Sequence, residues 1–184
     1  MSAPLDDPRR RGAVPGIVAV LAPAAPLLLA AWLALSSAPV GGPGARWGIW
    51  LGALGAPLAL LLWTATGLML SDARRYAQRR PRPLTCWLMV ASWALAVVLG
   101  TLLPDLVDGE PASIFLSAFP GATVGLSSGF ANTIGVLMFA SAAAALVAAA
   151  LDVRRTRLLA RGEPLAPDPE EEDRLREQWL ESFR

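Results

Sequence analysis

LTCWLMVASWALAVVLGTLL, residues 84–103, contains no Asp, Glu, Lys or Arg and lies between Arg82 and Asp105. A hydrocarbon core of about 30 Å takes roughly 20 helical residues, so this stretch matches one membrane crossing. It is apolar on every side, whereas a helix of a soluble bundle needs a polar face at helical spacing. Residues 13–36, 47–70 and 123–151 are also long, apolar and free of charge. With no water to satisfy the backbone in lipid, each is expected as a helix. The chain therefore reads as all-α: an integral membrane four-helix bundle over residues 13–161, between a segment 1–12 and a tail 162–184.

Arginines decide the threading. Arg9, Arg10 and Arg11 precede the first span, Arg74, Arg75, Arg79, Arg80 and Arg82 separate the second from the third, and Arg154, Arg155, Arg157 and Arg161 follow the fourth. The opposite side carries Arg46 alone. The positive-inside rule then puts both termini in the cytoplasm. Trp32, Trp47 and Trp50 fall near the outer interface and Trp87 near the inner one, where indole rings settle, while Trp63 and Trp93 lie deeper. The triple arginine, the apolar run and Ser36-Ser37-Ala38 also imitate a secretory signal, but the run is long for one and Pro39 would follow the cut.

Composition agrees with this solvent and removes much chemistry. Of the 184 residues 54% are hydrophobic and 17% charged, with mean hydropathy +0.47; soluble domains average about 25% charged. There is no histidine, which excludes histidine-ligated haem or metal and a histidine base. One cysteine, Cys86, excludes an internal disulfide and a cysteine zinc cage. No phosphate-binding loop, dinucleotide fingerprint or nucleophile elbow occurs. With no acid inside any apolar run, a proton-coupled exporter is argued against. No cofactor, metal, catalytic residue or nucleic-acid partner is expected.

Breakers shape the spans and their ends. Pro15, Pro23, Pro26 and Pro57 fall within apolar runs, where kinks rather than breaks are expected because neighbours re-satisfy the freed carbonyls. The second span is expected to continue as helix through Ser71 to Arg80, stopping at Pro81. The fourth is expected to continue to Arg161, stopping at Gly162 and Pro164. The loop from Pro104 to Ala122 reads as an acidic turn (Asp105, Asp108, Glu110), then a short interfacial or re-entrant helix around Ile114, Phe115, Leu116 and Phe119. Those three carboxylates match no calcium-loop spacing and read as solvated acids. In the tail, Asp168, Pro169 and Glu171 form a helix start. Leu175, Trp179, Leu180 and Phe183 then give a short amphipathic helix with an apolar stripe for docking on the protein itself or on a partner.

Candidate interaction residues follow. Gly48 and Gly52, and Gly125 and Gly129, are small-xxx-small pairs that predict close packing of the second and fourth spans, in the bundle or against another subunit. Asn132, the most polar group at membrane depth, is read as inter-helix glue. Arg74, Arg75, Arg79, Arg80, Arg154 and Arg155 form a collar for anionic headgroups on the cytoplasmic side. Arginine in place of lysine and abundant alanine suggest a GC-rich bacterial genome and a plasma-membrane home. The expected function is a non-catalytic accessory or scaffolding subunit or homo-oligomer, with membrane lipid and a membrane-protein partner or second copy as its contacts. The alternatives are a channel or carrier for a neutral or apolar solute, using the kinked first span and Asn132, and a lipid-handling enzyme using the loop carboxylates.

Overall fold

Proline decides how the first span is built. The computed structural model describes residues 13–76, 80–161 and 179. In it the first apolar run is two helices, α1 (Ala13–Leu21) and α2 (Ala25–Ala34), with a bend of 67° between Ala13–Leu21 and the arm Ala25–Val40. This corrects the expectation of kinks without a break. Pro23 and Pro26 lack the N–H groups that would carry the ladder across residues 22–24, and their rings displace the preceding turn. Other helices complete the freed carbonyls: Trp63 Nε1 donates to Pro23 O at 3.0 Å and Thr66 Oγ1 to Ala22 O at 3.5 Å. A 3-10 turn (Ala38–Val40) ends this arm.

The second crossing is one helix, Trp47–Ala73, made of α3 (Trp47–Trp50), a π-helical turn (Leu51–Gly55) and α4 (Ala56–Ala73). Pro57 cannot donate to the turn before it, and the wider turn absorbs the mismatch, with Ala56 N–H bonded to Leu51 O. The helix stops at Ala73 instead of reaching Arg80: Arg75 and Tyr76 N–H turn back to Asp72 and Ala73 carbonyls. Residues 77–79 lie outside the described residues. α5 (Pro83–Leu102) begins on a proline, and α7 (Val124–Ala160) runs 37 residues through Arg154, Arg155 and Arg157, as the missing breakers predict.

The structure is thus mostly helical, 76%, with three helices long and apolar enough to cross a membrane, or four counting the bent pair. It is not purely α. Asp105–Val107 (β1) and Glu110–Ala112 (β2) pair antiparallel around Asp108 (φ 53°) and Gly109 (φ 86°). Two central residues at positive φ make the tight hairpin turn that suits strand twist, and Asp-Gly is its usual sequence. This hairpin replaces the expected acidic turn. The short helix after it is present as α6 (Ile114–Ala118), capped by Ser113, whose Oγ accepts from Leu116 N at 3.1 Å.

α7 packs chiefly against α5 and α4, and α2 lies against α5 and the π-helical turn. Toward the hairpin end, Leu33, Leu58, Leu62, Leu99 and Met138 form one core cluster. Toward the arginine-rich end, Val18, Met69, Cys86, Met89, Ala145 and Ala149 form another. Ala142, Ala145 and Ala149 are fully buried, so alanine is what brings α7 close to its neighbours.

Candidate functional site

Two places gather polar groups inside this apolar frame. The first is a cleft of about 590 Å³ between the Trp47–Ala73 helix, α5 and the hairpin-end half of α7. Its walls follow from helical spacing. Arg46, Trp50 and Leu54 succeed one another a turn apart on one wall, with Trp50 N bonded to Arg46 O at 3.0 Å. Ser128, Asn132 and Phe139 descend the facing wall on α7, and Leu99 of α5 and Leu103 just past its end complete the lining. Polarity is graded along it: Arg46 and Ser128 lie near the hairpin end, Leu54 and Phe139 deeper.

The hairpin fixes Arg46. Asp105, 2% exposed, accepts from Arg46 N at 2.9 Å and from Leu106 N at 2.7 Å, while Ala45 N donates to Leu106 O at 2.8 Å. The Asp105 carboxylate is therefore engaged with backbone, and a Cβ on Gly44 would overlap it. The Arg46 guanidinium itself makes no hydrogen bond or ion pair among the described residues. Trp50, whose side chain helps line the cleft, keeps its Nε1 buried away from it, with no acceptor among the described residues.

The second place lies at the arginine-rich end, where two acids just beyond the apolar runs 47–70 and 123–151 are buried among the helices. Asp72, the penultimate residue of α4, is 2% exposed and Asp152 of α7 is 9% exposed. Thr156 Oγ1 donates to Asp72 Oδ1 at 2.5 Å, which leaves Tyr76 OH as the donor to Thr156 Oγ1 at 2.7 Å. Thr85 Oγ1 donates to Asp152 Oδ2 at 3.0 Å, and Arg82 Nε stands 3.4 Å from Asp152 Oδ1. Helix ends that look like separate charged flanks in sequence are thus joined by two hydrogen-bonded groups that meet on the last turns of α7, and the argument against proton coupling from missing buried acids falls with them. Chemically the two groups are a clamp: each carboxylate accepts from hydroxyls on other segments, so the ends of α4, α5 and α7 are held together.

The expected packing residues fall differently. A Cβ at Gly48, Gly52 or Gly129 would meet nothing within 4 Å, and at Gly125 only the Thr123 hydroxyl at 3.9 Å. These glycines do not pack the bundle internally. The close approaches are at Gly55 against Ala30 and Gly100 beneath Trp32, whose Nε1 donates to Val97 O at 3.1 Å. Lone glycines carry no spacing signal and could not be singled out. Asn132 is exposed in the cleft and makes no hydrogen bond to another helix among the described residues, so it does not serve as glue within the chain. Buried Ser127 does that work, donating to Leu102 O at 2.6 Å.

Arg74, Arg75, Arg154 and Arg155 are exposed, and Arg80 is half-buried. Arg79 lies outside the described residues. So do Leu175, Leu180 and Phe183 of the expected docking stripe; Trp179 is 63% exposed. Among the described residues no three acids or cysteines are grouped as a metal would require. Comparison with family models, curated proteins and solved structures finds no match to this chain.

Proposed function

We propose that this chain is a small non-catalytic membrane protein of a bacterial plasma membrane, both termini cytoplasmic, serving as an accessory or scaffolding subunit. It associates through its last helix with another membrane protein or a second copy. One observation carries the reading. Opposite the alanines that bury α7, its outer face presents the small residues Gly129, Ala140 and Ala143, all exposed, interspersed with Val136 and Val147, with open space over Gly129. Against lipid such small residues gain little, whereas against another helix they permit close backbone approach. The arginine distribution supports the threading, and the exposed Arg74, Arg75, Arg154 and Arg155 suit anionic headgroups on the cytoplasmic face.

Native mass measurement in nanodiscs tests this. The wild type is expected as a dimer, a higher oligomer or a complex with a co-purifying protein, and Ala143→Trp as a lone chain. A lone wild-type chain, or an unchanged assembly in the variant, refutes it. The cleft with Asn132 on its wall favours a second reading, a carrier for a neutral or apolar solute. Proteoliposome flux insensitive to Asn132→Leu removes that one. The enzyme reading loses Asp105, whose carboxylate is taken up by backbone N–H groups.

A further inference from the structure

The cleft borders the association face of α7, with Val136 at their common edge, and its chemistry identifies an occupant of its own. We infer that it binds a membrane lipid with an anionic phosphate head and an acyl tail, drawn from the leaflet at the Arg46 end. Its volume, about 590 Å³, falls within the roughly 300–1,000 Å³ typical of small-molecule sites. Val136 on its rim is 63% exposed, so the cleft opens sideways, where lipid tails lie in a bilayer.

The unmatched group is a donor. Arg46, an exposed residue on the cleft wall, offers a guanidinium with no ion pair among the described residues. A phosphate accepts through several oxygens and pairs with guanidinium in the planar, two-bond manner an ammonium cannot copy. A zwitterionic head brings its own cation and competes less well for Arg46. Deeper, Leu54, Leu99 and Phe139 provide an apolar path that a free anion would leave unused. Head and tail of a single amphiphile fit the gradient from Arg46 to Phe139.

The hairpin prepares the site. Asp105 fixes the Arg46 backbone and, through bonds to N–H groups, leaves the guanidinium to a ligand. The one arginine on the side that otherwise avoids arginine thus has a use beyond topology.

Photolabelling of the full-length protein in phosphatidylcholine nanodiscs tests the inference. Trace phosphatidylglycerol or phosphatidylcholine, each with a diazirine in the same acyl chain, serves as probe. Phosphatidylglycerol is expected to label the 132–139 segment several-fold more than phosphatidylcholine. Arg46→Gln should reduce it to the phosphatidylcholine level, and Arg46→Lys should restore part of the preference. Gly135→Leu, which places a side chain in the cleft where a Cβ meets Leu99 only at 3.8 Å, should remove labelling by both probes. Labelling near Arg154 in the same samples reports that each variant is inserted. Equal labelling by the two probes, a preference unchanged in Arg46→Gln, or labelling unchanged in Gly135→Leu overturns the inference. Displacement by inorganic phosphate overturns it too, since the site would then be one for a soluble anion. None of these outcomes depends on the mass of the assembly.

Discussion

Gly44 and Gly100 each occupy a position where one added methyl group would strike a side chain: the Asp105 carboxylate for the first, the Trp32 indole for the second. Neither neighbour can swing away cheaply, because Asp105 is bonded to two backbone N–H groups and Trp32 to Val97 O. Gly44→Ala and Gly100→Ala are each expected to cost about 1–3 kcal/mol, as overpacking does. Gly129→Ala, with open space above it, should be neutral or stabilising by up to about 1 kcal/mol through helix propensity. Reversible unfolding in mixed micelles ranks the three, and equal losses would contradict the packing. The hydroxyls beneath the carboxylates are equally specific. Thr85→Val and Thr156→Val each deprive a buried carboxylate oxygen of its donor and should cost about 1–3 kcal/mol. Joined with Tyr76→Phe, Thr156→Val should be non-additive in a double-mutant cycle, since Tyr76 and Thr156 share a hydrogen bond.

Among the elements, the break between α1 and α2 depends on a helix far from it in sequence. Trp63 and Thr66, on α4, supply the hydrogen bonds that Ala22 and Pro23 carbonyls lose to proline geometry. Trp63→Phe and Thr66→Val are each expected to lower stability by about 0.5–2 kcal/mol, the range of inter-helix hydrogen bonds in membranes. Pro26→Ala should make the Thr66→Val loss smaller, because the restored N–H of residue 26 would occupy the Ala22 carbonyl four residues back; stabilities measured in the Pro26→Ala background check this. The hairpin has a different physical basis. It stands on Asp108-Gly109 at positive φ, with Leu106 facing Pro111 and Val107 facing Glu110, and it connects the Arg46 loop to the top of α5.

For the whole molecule, Arg75 and Glu110 stand at opposite ends of the helices, each exposed. Cys86 is fully buried, which leaves an introduced cysteine as the accessible thiol among the described residues. An impermeant maleimide is expected to label Glu110→Cys on intact cells and Arg75→Cys only after permeabilisation. Labelling of both from outside would contradict the threading inferred from arginine placement. The two core clusters divide the molecule by depth: one under the hairpin holds the cleft, the other sits beside the clamped carboxylates. Loss of the clamp is therefore expected to loosen the arginine-rich ends first. Hydrogen exchange in Thr156→Val should rise near residues 69–76 and 149–160 before it rises near 96–103.

Much of the architecture is local, and so it was legible in the residues alone. Segment hydropathy sets the number of apolar helices, absence of breakers carries α7 to Ala160, and Ser113 before an apolar run starts α6. The Asp-Gly signal of the hairpin is present at Asp108-Gly109, but the strands it joins are three residues each, too short to show the alternation that marks a strand. What only the tertiary structure decided is non-local pairing. Asp72 and Asp152 look like the polar flanks of two spans until folding sets the ends of α4, α5 and α7 side by side and buries both. Likewise, which of sixteen glycines must lack a side chain depends on what stands opposite, as Trp32 stands over Gly100. Composition fixes the solvent a segment prefers because transfer free energy sums along the chain; contacts between distant segments do not sum that way, and only the folded bundle specifies them.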